Sequence, residues 1–262
     1  MPAYQHKAEI VRTEKFTDDI YRFTMKAPDI SANSKPGQFV MVRTTEGLDP
    51  LLRRPFSIHQ VAEGGLVQIM FKVVGKGTQA LANLQAGQEI DVLGPLGRGF
   101  VHNITTCQYY LVGGGIGIAP LLFLTKRMLK KIEPSAIKVF LGARIKGELT
   151  IPVKDFQSMG LEVQTATEDG SLGKQGLVTD LLTPLQNANP VMVCACGPYP
   201  MLRAVVGACR TKGWGCQVSL ETIMACGLAA CLGCAVLRAD MNGYVHACKD
   251  GPVFDADDVA WL

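Results

Sequence analysis

Four cysteines near the end of the chain, Cys226, Cys231, Cys234 and Cys248, are spaced C-x4-C-x2-C-x13-C. The first three have a spacing that holds [2Fe–2S] clusters. Such a cluster needs four thiolates, two on each iron, and backbone N–H groups aimed at the sulfurs to hold the negative charge. Gly227, Gly233 and the alanines between them suit a backbone that wraps closely round an inorganic core. Two other readings use the same residues. Four thiolates could hold a structural zinc, although zinc knuckles usually pair two C-x2-C units and this chain has one. Cysteines also serve as small buried hydrophobes, but four within 23 residues of a Gly/Ala-rich stretch is dense for that role. Cys107, Cys194 and Cys209 sit among apolar residues and read as core; Cys216 lies outside the tight loop.

A second site of chemistry is Leu111-Val-Gly-Gly-Gly-Ile-Gly-Ile-Ala-Pro120. It reads as a strand, a glycine turn and a helix start. Glycines let backbone approach a phosphate, and a helix N-terminus favours negative charge. Pro120 fits a first helical turn. The pattern is not G-x-G-x-x-G, and the second strand ends Gly142-Ala-Arg144 without an acidic residue.

These residues need a frame. Residues 1–100 carry short segments of strand pattern at Ala8–Phe16, Ile20–Met25, Gln38–Arg43, Leu66–Val73 and Glu89–Leu93, parted by turn residues, with one short helix over Thr78–Leu84. That predicts a small antiparallel barrel. Apolar strands at Gln108–Val112, Lys138–Leu141, Leu161–Thr165 and Pro190–Ala195 then alternate with helices, the clearest over Tyr199–Thr211. That predicts a parallel α/β sheet. Beyond Trp214 the pattern is lost in the cysteine-bearing segment. The expected fold is multidomain, β plus α/β: a barrel over 1–101, a nucleotide-binding α/β domain over 102–213 and a small iron–sulfur subdomain over 214–262.

With these motifs in order, the sequence resembles the ferredoxin–NADP reductase superfamily. Arg54-Pro55-Phe56-Ser57 is similar to that family's R-x-[aromatic]-[S/T] flavin motif, with Phe where Tyr is more usual. Gly75-Lys-Gly-Thr78 opens a short helix as the family's pyrophosphate-binding segment does. Cys196-Gly197-Pro198, with Met201, resembles its C-G-P/S…M motif. The C-terminal cysteine loop narrows the resemblance to the electron-transfer subunits of bacterial NAD-dependent (class 1B) dihydroorotate dehydrogenases.

The resemblance implies an FAD held by Arg54, Pro55, Phe56 and Ser57, with Arg53 adjacent, by the strand Ile69, Met70, Phe71 and Lys72, and by Gly77 and Thr78. Arg54 can pair with a pyrophosphate oxygen, and Thr78 reads as a helix N-cap. It implies NAD at Gly114, Gly115, Gly117, Arg144, Cys196 and Gly197. Cys196 would lie beside the hydride-transfer zone, or be a buried strand-end thiol. Glu221 would face the flavin or nicotinamide, or be a surface or capping glutamate. No basic cluster follows Arg144, which favours NAD over NADP. The resemblance also implies a partner, an FMN-containing catalytic subunit that oxidises dihydroorotate in pyrimidine biosynthesis, in a heterotetramer with two copies of each subunit.

The order of motifs has its own logic. Nicotinamide exchanges two electrons as hydride and a cluster exchanges one, so a flavin belongs between them. No acid–base or nucleophile constellation stands beside these motifs, so substrate chemistry is expected in a partner. An apolar loop (Leu228, Ala229, Ala230, Leu232) suits an interface. Alternatives are a subunit of an NAD(P)H:ferredoxin or sulfide dehydrogenase-like oxidoreductase, and a non-redox zinc-containing nucleotide-binding module. Composition agrees with a folded enzyme component. The chain has 262 residues, 48% of them hydrophobic, and a net charge of +3 without a Lys/Arg run, so neither nucleic acid nor membrane is an expected partner. The polar start Met1-Pro-Ala-Tyr-Gln-His-Lys has no signal-peptide core, so a cytoplasmic location is expected.

Overall fold

Alternation of apolar and polar residues lets an early strand such as Tyr4–Lys15 bury one face. In the computed structural model, which describes residues 3–102, 107–182 and 190–261, six strands close into an antiparallel barrel. They are β1 (Tyr4–Lys15), β2 (Ile20–Lys26), β3 (Phe39–Arg43), β4 (Arg54–Ala62), β5 (Leu66–Lys72) and β6 (Glu89–Leu96), in the order β1-β2-β5-β4-β3-β6. Closure removes free edges. Ile10, Phe23, Val40, Ile58, Ile69 and Phe71 fill the interior. Two short helices, α1 (Pro28–Asn33) and α2 (Lys76–Ala82), complete this part.

Longer apolar runs follow because both faces of the next sheet are covered. Its strands are β7 (Gln108–Gly114), β8 (Ile137–Ala143), β9 (Glu162–Thr167), β10 (Lys174–Gln175), β11 (Val191–Cys196) and β12 (Gly215–Ser219). Helices α3 (Ala119–Met128), α4 (Lys146–Gln157), α5 (Thr179–Leu182) and α6 (Tyr199–Lys212) connect them. Tyr110, Val112 and Phe140 face one core; Tyr109, Leu111 and Val139 face the other.

The last segment forms a hairpin, β13 (Ala235–Leu237) with β14 (Tyr244–His246), and then β15 (Val253–Asp255). The large sheet has the order β10-β9-β8-β7-β11-β12-β15; β15 is antiparallel to β12, and the other pairings are parallel. The boundary expected after residue 213 therefore falls inside the sheet. Gly213 ends α6 in a left-handed conformation (φ 66°), and the chain re-enters the sheet at once. The five residues of β12 are too few and too mixed in polarity to declare themselves.

The parts share seams. Phe123 of α3 is buried in the barrel's core, and the His59 ring Nδ1 lies 2.6 Å from the Ala119 carbonyl. Arg22 pairs with Asp155 at 2.9 Å and Lys72 with Glu148 at 2.8 Å. On the other side, Gln217 exchanges two hydrogen bonds with the Val101 backbone, at 2.8 and 2.7 Å. Among the described residues no helix is long and apolar enough to cross a membrane.

Candidate functional site

The first motif residue, Arg54, opens β4 and donates to the Leu52 carbonyl at 2.7 Å. Gly77, in the first turn of α2, comes up against it: a Cβ there would lie 3.3 Å from Arg54 Nε and 3.4 Å from Thr44 Oγ1. That Thr44 hydroxyl is buried and without a hydrogen-bond partner. A cation, a glycine that leaves room and an unsatisfied buried hydroxyl therefore share one recess. These features fit a phosphate group, which would accept from both side chains.

Arg53 is a different case. Its guanidinium is engaged bidentately by Asp91 of β6, at 2.9 and 2.6 Å, so it braces the barrel and is not beside Arg54 in role. Thr78 also departs from expectation. Gly75 is the N-cap of α2, and the Thr78 hydroxyl accepts from the N–H groups of Val74 (2.9 Å) and Gly75 (3.2 Å). Its side chain is spent on its own turn. Phe56 packs against Phe71 with ring centroids 5.6 Å apart. Pro55 and Ser57 are half-buried on β4. Ile69 and Phe71 point into the barrel, whereas Met70 packs with Ile20 and Ala119 at the seam and Lys72 reaches across it. The expected lining by residues 69–72 is thus available from backbone and from two side chains.

The glycine turn lies at the C-terminal edge of the parallel sheet. From β7 the chain continues to β8 on one side, and later returns to β11 on the other. Such a reversal opens a crevice where nucleotides bind in α/β sheets. A cavity of ≈ 420 Å³ occupies this edge, lined by Lys72, Gly114, Gly115, Gly142, Arg144 and Met201 among others. Gly115 has φ +53° and nothing within 4 Å of a Cβ position, so it is open to a ligand. Gly117 is not among the lining residues; a Cβ on it would meet Gly197 Cα at 2.5 Å and the Cys196 carbonyl at 2.6 Å. It is a packing glycine, and it locks the turn onto the Cys196–Gly197 segment.

Cys196 ends β11, 8% exposed. Burial pushes its thiol up to about 12 against a hydrogen bond with Ser219, and the charge of Glu221 adds to the rise. It is a neutral thiol, not a base. Glu221 is exposed, close enough to Cys196 to be felt, and outside the cavity lining.

The cysteine loop follows β12. Cys226 accepts from the N–H groups of Leu228 (3.3 Å) and Cys231 (3.4 Å), and Cys248 from that of Ala229 (3.2 Å). Ala229 and Leu232 take left-handed φ values of 58° and 59°, a strained backbone, and at Ala229 it accompanies an N–H turned onto the Cys248 sulfur. The thiols gather two and two: Cys226 with Cys231, and Cys234 with Cys248 at 3.1 Å. Burial opposes ionisation of Cys226, but these donors outweigh it and bring it down to about 7. Burial, then the Cys234 thiol, push Cys248 up to about 12. Two buried sulfurs this close cannot both ionise without a cation between them. Among the described residues no three His, Cys, Asp or Glu side chains converge on one ion. Pairs of thiols under backbone donors fit a dinuclear iron–sulfur centre better than a single zinc. The loop seats on the barrel: a Cβ on Gly227 would lie 2.6 Å from Met41 Cγ and 3.3 Å from Leu96 Cδ1.

Comparison with known proteins bears on each part. Residues 7–100 match the oxidoreductase FAD-binding domain, and residues 221–260 the iron–sulfur cluster binding domain of dihydroorotate dehydrogenase B. The chain is 41% identical to the "dihydroorotate dehydrogenase B (NAD(+)), electron transfer subunit" of Fusobacterium nucleatum, over 92% of this chain and 93% of that one. It is 39% identical to the protein of the same name from Desulforamulus reducens, over 97% of each. The chain belongs to the dihydroorotate dehydrogenase B electron transfer subunit family. As a member of that family it is an oxidoreductase component with an FAD-binding barrel and a C-terminal iron–sulfur domain. A solved chain from an NADH-dependent reduced ferredoxin-NADP oxidoreductase is 33% identical, with a TM-score of 0.86, over 98% of this chain and 90% of that one. A ferredoxin reductase of carbazole 1,9a-dioxygenase, 24% identical over 82% of this chain and 67% of that one, shares the fold at a TM-score of 0.68.

Some residues of the site escape sequence reasoning. Thr44 belongs to no motif, and its orphan hydroxyl shows only when β3, β4 and α2 meet. Gly142 packs on Val178, and Glu148 and Glu168 line the cavity. Of these only Glu148 carries a sequence signal, four residues after Arg144 on a helix start.

Proposed function

We propose that this chain carries electrons between an FMN-containing, dihydroorotate-oxidising partner subunit and NAD+, by way of a [2Fe–2S] cluster and FAD. The observation that carries it is adjacency: the cluster loop rests on Met41 and Leu96 of the barrel, and the barrel's Lys72 lines the nucleotide cavity. When bound, FAD exchanges hydride with nicotinamide and single electrons with the cluster.

The chain's own residues hold and order these groups. Arg54 and Thr44 bind the FAD pyrophosphate in the recess that Gly77 leaves open. Phe56 and Ser57 stand against the flavin ring, and the 69–72 backbone runs along it. Gly114 and Gly115 admit the dinucleotide, with Arg144 at the adenosine side of its pyrophosphate. Cys196 and Gly197 shape the nicotinamide end; the neutral Cys196 thiol moves no proton, and Glu221 sits at the same edge. Cys226, Cys231, Cys234 and Cys248 hold the cluster, and the loop's N–H groups offset its charge. Exposed Ile223, Leu228 and Leu232 offer an apolar face to the partner. The assembly has two copies of each subunit, lies in the cytoplasm and uses NAD. The working division is an FAD barrel up to residue 101, a nucleotide sheet and a cluster segment after it.

The similarity to the ferredoxin-NADP oxidoreductase chain favours a second reading, in which a ferredoxin-linked partner takes the place of the dihydroorotate-oxidising one. The test is an anaerobic visible spectrum of the purified chain with and without NADH, then dihydroorotate added with the FMN-containing subunit. Flavin and cluster bands bleached by NADH, and dihydroorotate-driven NADH formation in the complex, are the expected results. A colourless, zinc-loaded protein would overturn the redox reading. Bleaching by NADH with ferredoxin reduction, and no association with the FMN subunit, would favour the second.

A further inference from the structure

We propose that Lys72 is a phosphate-binding residue of the nucleotide cavity, and that Glu148 occupies it as a built-in anion until a dinucleotide arrives. The inference rests on the nucleotide reading above. Lys72 ends β5 of the barrel, and Glu148 stands in the first turn of α4, across the seam. Their 2.8 Å ion pair is sheltered, with side chains 20% and 8% exposed. The same Glu148 Oε1 also pairs with Arg144 Nη2 at 3.3 Å, and its Oε2 accepts from the Arg144 backbone N–H at 3.2 Å. Asp19, more exposed, lies 3.2 Å from Lys72 on the barrel side. Lys72, Arg144 and Glu148 all line the cavity that Gly114, Gly115 and Gly142 floor with bare backbone.

One carboxylate is thus set between two cations, inside a cavity shaped for something else. A pair that merely fastened the two parts together would have no need of the cavity. The seam already has such a fastening. Arg22 bridges Glu14 and Asp155, each at 2.9 Å, and none of the three lines the cavity. A pyrophosphate presents anionic oxygens that accept from the same cationic donors as a carboxylate. On entry it takes Lys72 and Arg144, and Glu148 keeps the Arg144 N–H. Because one anion replaces another, the site binds more weakly than two free cations would, and it releases its dinucleotide readily.

The test uses the FAD-loaded full chain and ADP-ribose as the probe, with dissociation constants from calorimetry at several salt concentrations. Glu148→Gln keeps an oxygen for the Arg144 N–H and removes the charge that both cations share, leaving Lys72 with the more exposed Asp19 alone; it is expected to tighten ADP-ribose roughly fivefold. Lys72→Gln is expected to weaken it by a similar factor and to flatten the salt dependence. Asp155→Asn opens the other fastening and leaves the constant unchanged. The inference is overturned if Glu148→Gln weakens binding or leaves it alone, or if Asp155→Asn shifts it as Glu148→Gln does. Should Glu148→Gln fail to fold, an unchanged constant and salt slope in Lys72→Gln overturns it equally. If the unmodified chain does not bind ADP-ribose at all, the nucleotide reading itself fails, a result distinct from any variant's.

Discussion

The Sγ atoms of Cys234 and Cys248 lie 3.1 Å apart although 14 positions separate them in sequence. The hairpin between them closes the gap. Ala235 pairs with His246, and Ala247 N–H donates to the Cys234 carbonyl at 3.0 Å. The fourth thiol is therefore delivered by a strand pair and not by the wrapping loop. Cys248→Ser is expected to abolish cluster binding while the barrel keeps its FAD. Cluster-dependent transfer to a partner should fall by more than about 100-fold, since loss of a mere outer-sphere support costs 10–100-fold. Iron and flavin analysis of one preparation checks both halves.

Thr44 carries a hydroxyl that the folded chain leaves unsatisfied. Thr44→Val replaces it with a methyl group of the same shape, so the FAD-free protein should be as stable or slightly more so. FAD should bind about tenfold more weakly, the value of one lost hydrogen bond to a charged group. Melting of the flavin-free form and the rate of flavin fluorescence release measure the two effects separately.

Neighbouring arginines are expected to fail in different ways. Arg54→Gln should weaken FAD by about tenfold or more, with a melting temperature close to that of the parent protein. Arg53→Gln breaks the bidentate pair with Asp91, whose side chains are 20% and 22% exposed. It should cost about 1 kcal/mol of stability and leave FAD affinity nearly unchanged. Equal loss of flavin in both variants would refute this division.

His59 makes a pH prediction. Burial holds the ring well below its ordinary 6.5, at about 4, against the opposing hydrogen bond with Ala119. The unfolded chain therefore binds the proton first. The stability that neutral His59 contributes is complete above pH 6.5 and is lost as pH falls toward 4. Its slope is at most about 1.4 kcal/mol per pH unit. Urea unfolding between pH 7.5 and 4.5 should show this slope in the parent protein and a shallower one in His59→Asn, which lacks the titrating ring. Parallel curves would show that His59 is not the group responsible.

Much of the frame was legible because its physics is local. Strands such as Tyr4–Lys15 and Glu89–Leu96 alternate over much of their length, and β7, β8 and β11 are largely apolar, so period and hydrophobicity found them. The strand β4 did not read as one. Arg54, Pro55, Phe56 and Ser57 are all half-buried, so no period of apolar and polar residues marks this stretch. The cysteine spacing was legible for the same reason as the alternation: the ligands crowd into one segment. Gly117 meets Gly197 and the Thr78 hydroxyl bonds its own turn, contacts that motif spacing does not reveal, because spacing cannot tell a glycine that meets a phosphate from one that meets Gly197. Thr44 and the Lys72–Glu148 pair could not be read at all. The latter spans 76 positions, and only the closed seam brings its ends together.

The antiparallel pairing of β12 with β15 has a consequence for how such a chain can change. Ser219 and Val253 are direct partners in the sheet, so everything between them leaves and rejoins at a single point on its rim. The iron–sulfur segment is therefore a cassette. Its length, its metal centre and the partner it recognises can be exchanged by splicing between two neighbouring strands, while the strands that frame the nucleotide cavity keep their register. An engineer seeking a different electron acceptor would graft at this junction, and natural variation among reductases of this fold has the same opening available to it.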